Sequence, residues 1–475
     1  MIYSNHTQKE KNLLDYLDEQ DELPILEHQL KNSMREGTRA GVAVAFGMLS
    51  KATLFTQEMG IGKTFVAMGL IENILRSNPN KKVVFCGTND KLNEYRELFN
   101  ENLTDGWGIT HTTAGKSQVS RAFREWDMGY RVLICTHSVW DKGHHFHEQL
   151  IPRLDQVQAF ILDEGGMLLK SADNYSYRMM EQFVPSLPYR FILDATPIGR
   201  DLTLLLNQCR ILGIPIPSKS ALFSKYGSLS RENEWVFGNL QELKESLKYH
   251  VFNVSRRHIE EAGEVNYILN TKFLRVPKEI YQLIDEDNAR SLRYPFLHPN
   301  LFSPTNYPSL RCLLDVCVRG KVEGDHMLVY VTNVEPKARM KELLEELGLR
   351  VGIYDGAHTK TQGEKNAVEG AFNRGEYDVL LTNKLYGLSL SKANHVITYD
   401  LPPNTYQYVY RAVRDLNSKD LKVTTIVYNY PNDYNTLQKE ADSERYQNEF
   451  SDRGFNLVKR IMKDLNYKAT HKLYD

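Results

Sequence analysis

Cysteine is scarce in this sequence. Five occur in 475 residues, at positions 86, 135, 209, 312 and 317. An odd, scattered set with no CxxC pair excludes a disulfide framework and speaks against a zinc site. An excess of charge of either sign is also lacking: 59 Lys and Arg face 60 Asp and Glu, for a net charge of -1. No global field can therefore hold a polyanion, and such a partner would need a local basic surface. No apolar run approaches the length that spans a bilayer. The first residues, MIYSNHTQKEKNLLDYLDEQDEL, are polar and charged, unlike a signal or transit peptide. These absences predict a reducing, cytoplasmic setting and no membrane partner. Repeats at a period of about 20–50 residues and low-complexity tracts are missing too, which excludes solenoids and arrays.

What is present reads as an ordinary globular chain, 41% hydrophobic and 25% charged. The length favours two or three domains and more than one core. Short, nearly continuous apolar runs recur at 82–87 (KVVFCG), 131–136 (RVLICT), 159–163 (AFILD) and 190–194 (RFILD). A second set lies at 326–332, 349–355, 377–382, 395–400 and 423–428. Runs of this kind suit strands covered on both faces of a parallel sheet. Between them, 89–100, 335–347 and 362–373 place apolar residues at helical spacing. The alternation, made twice, predicts two tandem α/β domains with doubly wound parallel sheets. Residues 201–320 read as mostly helical, broken by Pro215, Pro217, Pro277, Pro295 and Pro299. The tail from 442 reads as helical and becomes basic, with Lys459, Arg460, Lys463, Lys468 and Lys472.

The chemistry-bearing residues begin with Gly62-Lys63-Thr64 in TQEMGIGKTFVAMGLI. A phosphate-binding loop normally reads G-x-x-x-x-G-K-[ST], but Gln57 stands at the first glycine position. If the loop is real, backbone N–H groups and Lys63 hold phosphate oxygens while the Thr64 hydroxyl ligates Mg²⁺. About a hundred residues later, Ile161-Leu162-Asp163-Glu164 ends an apolar run in two carboxylates. Asp163 suits a Mg²⁺ role and Glu164 the polarisation of an attacking water. Asp194-Ala195-Thr196-Pro197 closes a further strand, as a coupling element for the phosphate site or as a simple capping turn. On a helix, Gln407, Arg411 and Arg414 share one face. That face is either plain solvated surface or a source of cations for transition-state charge.

Taken together, these blocks resemble the superfamily 2 helicases, and within them the Swi/Snf-like ATPases. That family's first motif, D-E-M-G-L-G-K-T, does not use the first glycine. Gln57-Glu58-Met59-Gly60-Ile61-Gly62-Lys63-Thr64 is similar to it, with Ile61 standing for Leu. Leu26-Glu27-His28-Gln29 resembles the upstream motif whose glutamine reads adenine. Cys86-Gly87-Thr88 sits at motif Ia, and Ile134 to Ser138 resembles I-T-T-Y-E. Leu193 to Ile198 resembles L-T-G-T-P-I of motif III, Ser255-Arg256-Arg257 resembles L-R-R, and Tyr354-Asp355-Gly356 resembles L-D-G. Leu381-Thr382 with Gly387 to Leu390 resembles motif V, and Gln407, Arg411 and Arg414 match motif VI. The blocks run in order from about residue 20 to 430. Two departures stand out: Gly166 replaces the histidine that usually ends motif II, and Lys384-Leu385-Tyr386 replaces R-A-G in motif V.

The resemblance implies two RecA-like lobes with ATP and Mg²⁺ held between them. It assigns nucleotide binding to Gln29, Met59, Gly60, Gly62, Lys63, Thr64 and Gln407, and metal binding to Thr64 and Asp163. Catalysis falls to Lys63, Asp163, Glu164, Arg411 and Arg414. The expected organisation is an N-terminal helical segment (1–35), a first lobe (36–215), a helical linker with protrusions (216–320), a second lobe (321–440) and a basic C-terminal helix (441–475). Thr88, Thr136, Thr332 and Thr382 are candidate phosphate contacts, or strand residues satisfied locally. The expected partner is DNA, duplex or branched, with replication, recombination or transcription proteins nearby, and the expected working form is a monomer. The spacing of motifs IV to VI leaves no room for a large strand-separating insertion. Translocation on duplex is therefore favoured over a strand-separating DNA or RNA helicase and over a non-catalytic scaffold. The small size suggests a phage or viral source in a bacterial host.

Overall fold

The computed structural model describes residues 6–20, 40–58, 62–142, 144–199, 201–230, 235–254, 264–276, 307–384, 390–402, 405–409, 412, 419–451 and 456–475; the side chains at 142, 362, 406 and 407 are not among what it describes. The chain forms two compact units, residues 1–262 with 446–454 and residues 263–445 with 455–475.

The first unit contains β1 (Ala52–Gln57), β2 (Lys82–Gly87), β3 (Ile109–Thr112), β4 (Val132–Thr136), β5 (Val157–Asp163), β6 (Tyr189–Leu193), β7 (Gly227–Leu229), β8 (Trp235–Phe237) and β9 (Val251–Val254). Seven of these make one sheet in the order β3-β4-β2-β5-β6-β1-β9, and its pairings are parallel. Every residue of β1 and β4 is buried, as expected where helices cover both faces of a sheet. Strands β7 and β8 form a separate antiparallel hairpin. Tyr446 returns to this unit, its hydroxyl accepting from the Phe237 N–H at 3.1 Å.

The second unit contains β10 (Val265–Leu274), β11 (Met327–Tyr330), β12 (Val351–Tyr354), β13 (Val379–Thr382), β14 (His395–Thr398) and β15 (Lys419–Tyr428). They form a parallel sheet in the order β10-β15-β14-β11-β13-β12. Its core gathers Val329, Leu381, Ile397 and Tyr399 with the helices Pro308–Val322 and Glu335–Glu346. Both units are doubly wound α/β sheets, and all nine runs read as strands are strands.

The stretch 201–320, expected to be mostly helical, is mixed. The helices Thr203–Ile211, Lys219–Tyr226, Leu240–Leu247 and Pro308–Val322 are present. So are β7 to β10, with β9 and β10 each at an edge of a sheet. An edge strand with one face open needs no continuous apolar run. β10 reads VNYILNTKFL, and its first six residues alternate between partly buried and exposed. The C-terminal tail is helical at Leu457–Thr470, and Lys468 is bound internally, to Asp475 at 2.9 Å. Among the described residues no helix is long and apolar enough to cross a membrane.

Candidate nucleotide-hydrolysis site

Strand β1 delivers the chain to Gly62, which caps the helix Lys63–Ser77 with φ at +88°. Only glycine takes that conformation without strain. Among the described residues no side chain caps this helix; Phe65 N–H turns back to Gly62 O at 2.9 Å, which leaves the N–H groups of Lys63 and Thr64 for an anion. Lys63 opens the helix, and its Nζ lies 3.1 Å from Glu164 Oε1, with both side chains about nine-tenths buried. Thr64 follows, half-buried in the first turn.

Glu164 leaves β5 in the left-handed region, φ +53°, which costs a non-glycine residue strain. Its N–H donates to Leu193 O at 2.8 Å and to Asp163 Oδ1 at 3.1 Å. The other carboxylate oxygen, Asp163 Oδ2, accepts from the Tyr95 hydroxyl at 2.7 Å. Both oxygens of Asp163 are thus held by this chain. His137 Nε2 donates to Asp163 O at 2.8 Å; burial holds that imidazole's pKa below its usual value. Lys63, Asp163, Glu164 and Asp194 all stand at the carboxyl ends of β1, β5 and β6, where ligands bind in open α/β sheets.

Gly166, the residue at odds with the family pattern, has a physical reason. Its N–H donates to Asp194 Oδ2 at 2.6 Å. A Cβ built there would lie 2.8 Å from that oxygen and 3.4 Å from Leu204. Gln208 Nε2 donates to the same oxygen at 2.8 Å, and Thr196 N–H to Oδ1 at 2.9 Å. Burial, helped by the charge of Glu164, pushes the Asp194 carboxyl up to about 6, against those hydrogen bonds and Lys63. The link between motifs II and III is therefore made by a backbone donor and a carboxylate.

Mg²⁺ in nucleotide sites takes one or two protein ligands and completes its shell with phosphate oxygens and water. An uncapped helix N-terminus, Lys63, a hydroxyl at Thr64 and the oriented Asp163 carboxylate fit a Mg²⁺–nucleotide. Gln29, Met59, Gly60, Arg411 and Arg414 lie outside the described residues, as do Arg256 and Arg257. Gln407 is on the helix Thr405–Val409.

The four threonines divide. Thr88 is buried, and its hydroxyl has no hydrogen-bond partner among the described residues. Thr136 is buried and paired with Ser138 Oγ at 2.8 Å. Thr382 is buried and accepts from Lys384 N–H at 3.0 Å. Thr332 is exposed, its N–H given to Asp400 Oδ2 at 2.6 Å. In the second unit, Asp355 of the Tyr354-Asp355-Gly356 block pairs with Lys337 Nζ at 3.0 Å, both side chains fully buried. Although burial opposes it, hydrogen bonds from His358 and Lys337 bring the Asp355 carboxyl down to about 2. The sequence reading missed Tyr95, His137 and Gln208. Tyr95 sits seven positions beyond Thr88 on the helix Leu92–Asn102, a spacing that signals nothing by itself.

The family profile of the SNF2-related domain matches residues 38–291, over half the chain, and that of the helicase conserved C-terminal domain matches 308–416. A DNA repair and recombination protein RAD54-like from Drosophila erecta is 20% identical over 93% of this chain and 65% of its own length. The DEAD-box ATP-dependent RNA helicase 56 of Oryza sativa subsp. japonica is 21% identical over 58% of this chain and 68% of its own. The chain thus spans about two thirds of the length of these relatives. Among solved structures, the Sulfolobus solfataricus SWI2/SNF2 ATPase core in complex with dsDNA aligns at TM-score 0.42 and 14% identity, over 93% of this chain and 97% of that one. The Pyrococcus furiosus Hef helicase domain aligns at TM-score 0.47 and 14% identity, over 83% and 96%.

Proposed function

Because the chain belongs to the SNF2-related family, and is thus a helicase-type, nucleic-acid-dependent ATPase, we propose that it is a motor that moves on duplex or branched DNA at the expense of ATP. The observation that carries this reading is the Lys63–Glu164 pair beside Asp163 at the ends of β1 and β5. In this reading, Thr64 and Asp163 would hold a Mg²⁺ ion, which would supply positive charge against the phosphates of the nucleotide. Lys63 turns from Glu164 to the phosphate oxygens, which compete for its ammonium. Glu164, released from that pair, accepts a hydrogen bond from the attacking water and orients it. Gln29 and Gln407 contribute nucleotide contacts, and Arg411 and Arg414 transition-state cations, on the strength of the motif match.

DNA is favoured by the first motif's likeness to the Swi/Snf-like pattern and by the RAD54-like relative, named for DNA repair and recombination. Backbone N–H groups beside Thr88, Thr136, Thr332 and Thr382 would meet phosphate oxygens, with the exposed Thr332 adding its hydroxyl. Such contacts carry no sequence preference. The protein would act as a monomer in the cytoplasm, alongside proteins of replication, recombination or transcription. The rice relative favours a second reading, an RNA helicase. A triplex-displacement assay on duplex DNA, run beside a forked-duplex unwinding assay and its RNA counterpart, tests the choice. Displacement of the third strand without unwinding supports the duplex motor; RNA unwinding alone overturns it.

A further inference from the structure

The helix Leu92–Asn102 and the turn after β4 are each tied to Asp163 by a side chain, the first at its carboxylate and the second at its main-chain carbonyl. Tyr95 is 1% exposed, and its hydroxyl donates to Asp163 Oδ2 at 2.7 Å. Its ring packs edge-on against Phe85, and Phe85 in turn against Phe99, with centroids 5.0 Å apart in each pair. Gly87 makes room for it, since a Cβ there would overlap the Tyr95 ring. Thr88, the next residue, is buried with its hydroxyl unpartnered among the described residues, and burial, helped by the Asp163 charge, pushes the Tyr95 phenol well above its usual pKa. A second thread runs through His137. Its N–H donates to Gly87 O at 2.9 Å, and its ring Nε2 to Asp163 O at 2.8 Å. The turns after β2 and β4 are joined as well, Ser138 N–H reaching Asn89 Oδ1 at 3.4 Å.

We infer that Tyr95 is a positioning residue that fixes Asp163 for the metal and makes metal affinity respond to nucleic acid held at the 87–89 turn. The inference rests on the proposed function for its second half. Phosphate contacts at Thr88 shift the turn against which the Tyr95 ring is packed, and the hydroxyl carries that shift to Asp163 Oδ2. By linkage, nucleic acid that alters metal affinity is itself bound differently when metal is present. Nothing else among the described residues donates to Asp163 Oδ2, so loss of the hydroxyl leaves that oxygen without its partner.

The test uses the full chain with ADP and Mn²⁺ as an EPR-visible probe, with and without a short DNA duplex. In the unaltered protein, DNA changes the Mn²⁺ dissociation constant several-fold. Tyr95→Phe, which keeps the ring, weakens Mn²⁺ about tenfold, the lower end of what loss of an outer-shell partner costs, and abolishes the response to DNA. Phe99→Leu loosens the packing around Phe85, the ring against which Tyr95 rests, but keeps the hydroxyl, and it leaves both readouts in place. Unchanged Mn²⁺ affinity in Tyr95→Phe, or a retained response to DNA, overturns the inference. So does a Phe99→Leu protein that behaves as Tyr95→Phe does. If no nucleic acid binds the unaltered protein, the functional reading fails with the coupling, while the tenfold metal effect still decides the positioning role.

Discussion

The backbone N–H of Gly166 and the Asp194 carboxylate meet at 2.6 Å, inside a space where a Cβ on residue 166 would sit 2.8 Å from the acceptor. The glycine is therefore required by the carboxylate, which accounts for the departure at residue 166. Gly166→Ala is expected to destabilise the first unit by about 1–3 kcal/mol, the usual cost of overpacking. Asp194→Ala, which frees the space but orphans the Gly166 and Thr196 donors, costs a similar amount. The double variant costs less than the sum of the two single changes. Thermal or urea denaturation of the four proteins measures the coupling, and additivity within about 0.5 kcal/mol would contradict it.

In the second unit, Lys337 and Asp355 are paired at 3.0 Å with no solvent at either side chain. Lys337→Met leaves a buried carboxylate without its cation and is expected to cost about 3–5 kcal/mol. Lys341 and Glu345, a half-exposed helical pair at 3.6 Å, provide the contrast: Lys341→Met costs roughly 0.3–0.5 kcal/mol. Denaturation at low and high salt separates the two, because only the exposed pair is screened.

Glu444 accepts from Val458 N–H at 3.1 Å and Lys459 N–H at 3.0 Å, at the start of the helix Leu457–Thr470. Burial nonetheless pushes its carboxyl up to about 7 from 4.5, against those bonds. A pKa raised on folding adds stability that is fully present below the unfolded value and is lost as pH rises through the folded one. The window is therefore pH 4.5 to somewhat above 7. Glu444→Gln, neutral throughout, is expected to gain in melting temperature relative to the unaltered protein between pH 5 and pH 8. A gap that stays constant with pH would contradict this.

Much of the fold was legible because strands buried on both faces must be apolar throughout, which made β2, β5 and β13 plain. β1 was passed over because ATLFTQ carries two threonines and a glutamine into a buried strand. β10 was missed because an edge strand alternates. At the candidate site, Lys63, Asp163, Glu164 and Asp194 could be singled out because phosphate and metal chemistry would ask for such residue types at the ends of strands, and the structure brings Lys63 to Glu164. Tyr95 and His137 were not. Their roles come from which turns the sheet order sets side by side: β2 lies between β4 and β5, an adjacency no local spacing encodes. Gly166 was visible as a departure, but its meaning required the position of Asp194.

The central claim, an ATPase driven by DNA through Lys63 and Glu164, is tested most directly by ATP hydrolysis measured without nucleic acid and then with single-stranded, duplex and branched DNA and with RNA. Lys63→Ala and Glu164→Gln proteins run alongside. The account predicts stimulation by duplex or branched DNA and a fall of about 10²-fold or more in both variants, the range that general-base and electrostatic contributions supply, with DNA binding retained. Hydrolysis that no DNA stimulates, or that survives the loss of either side chain, would contradict it.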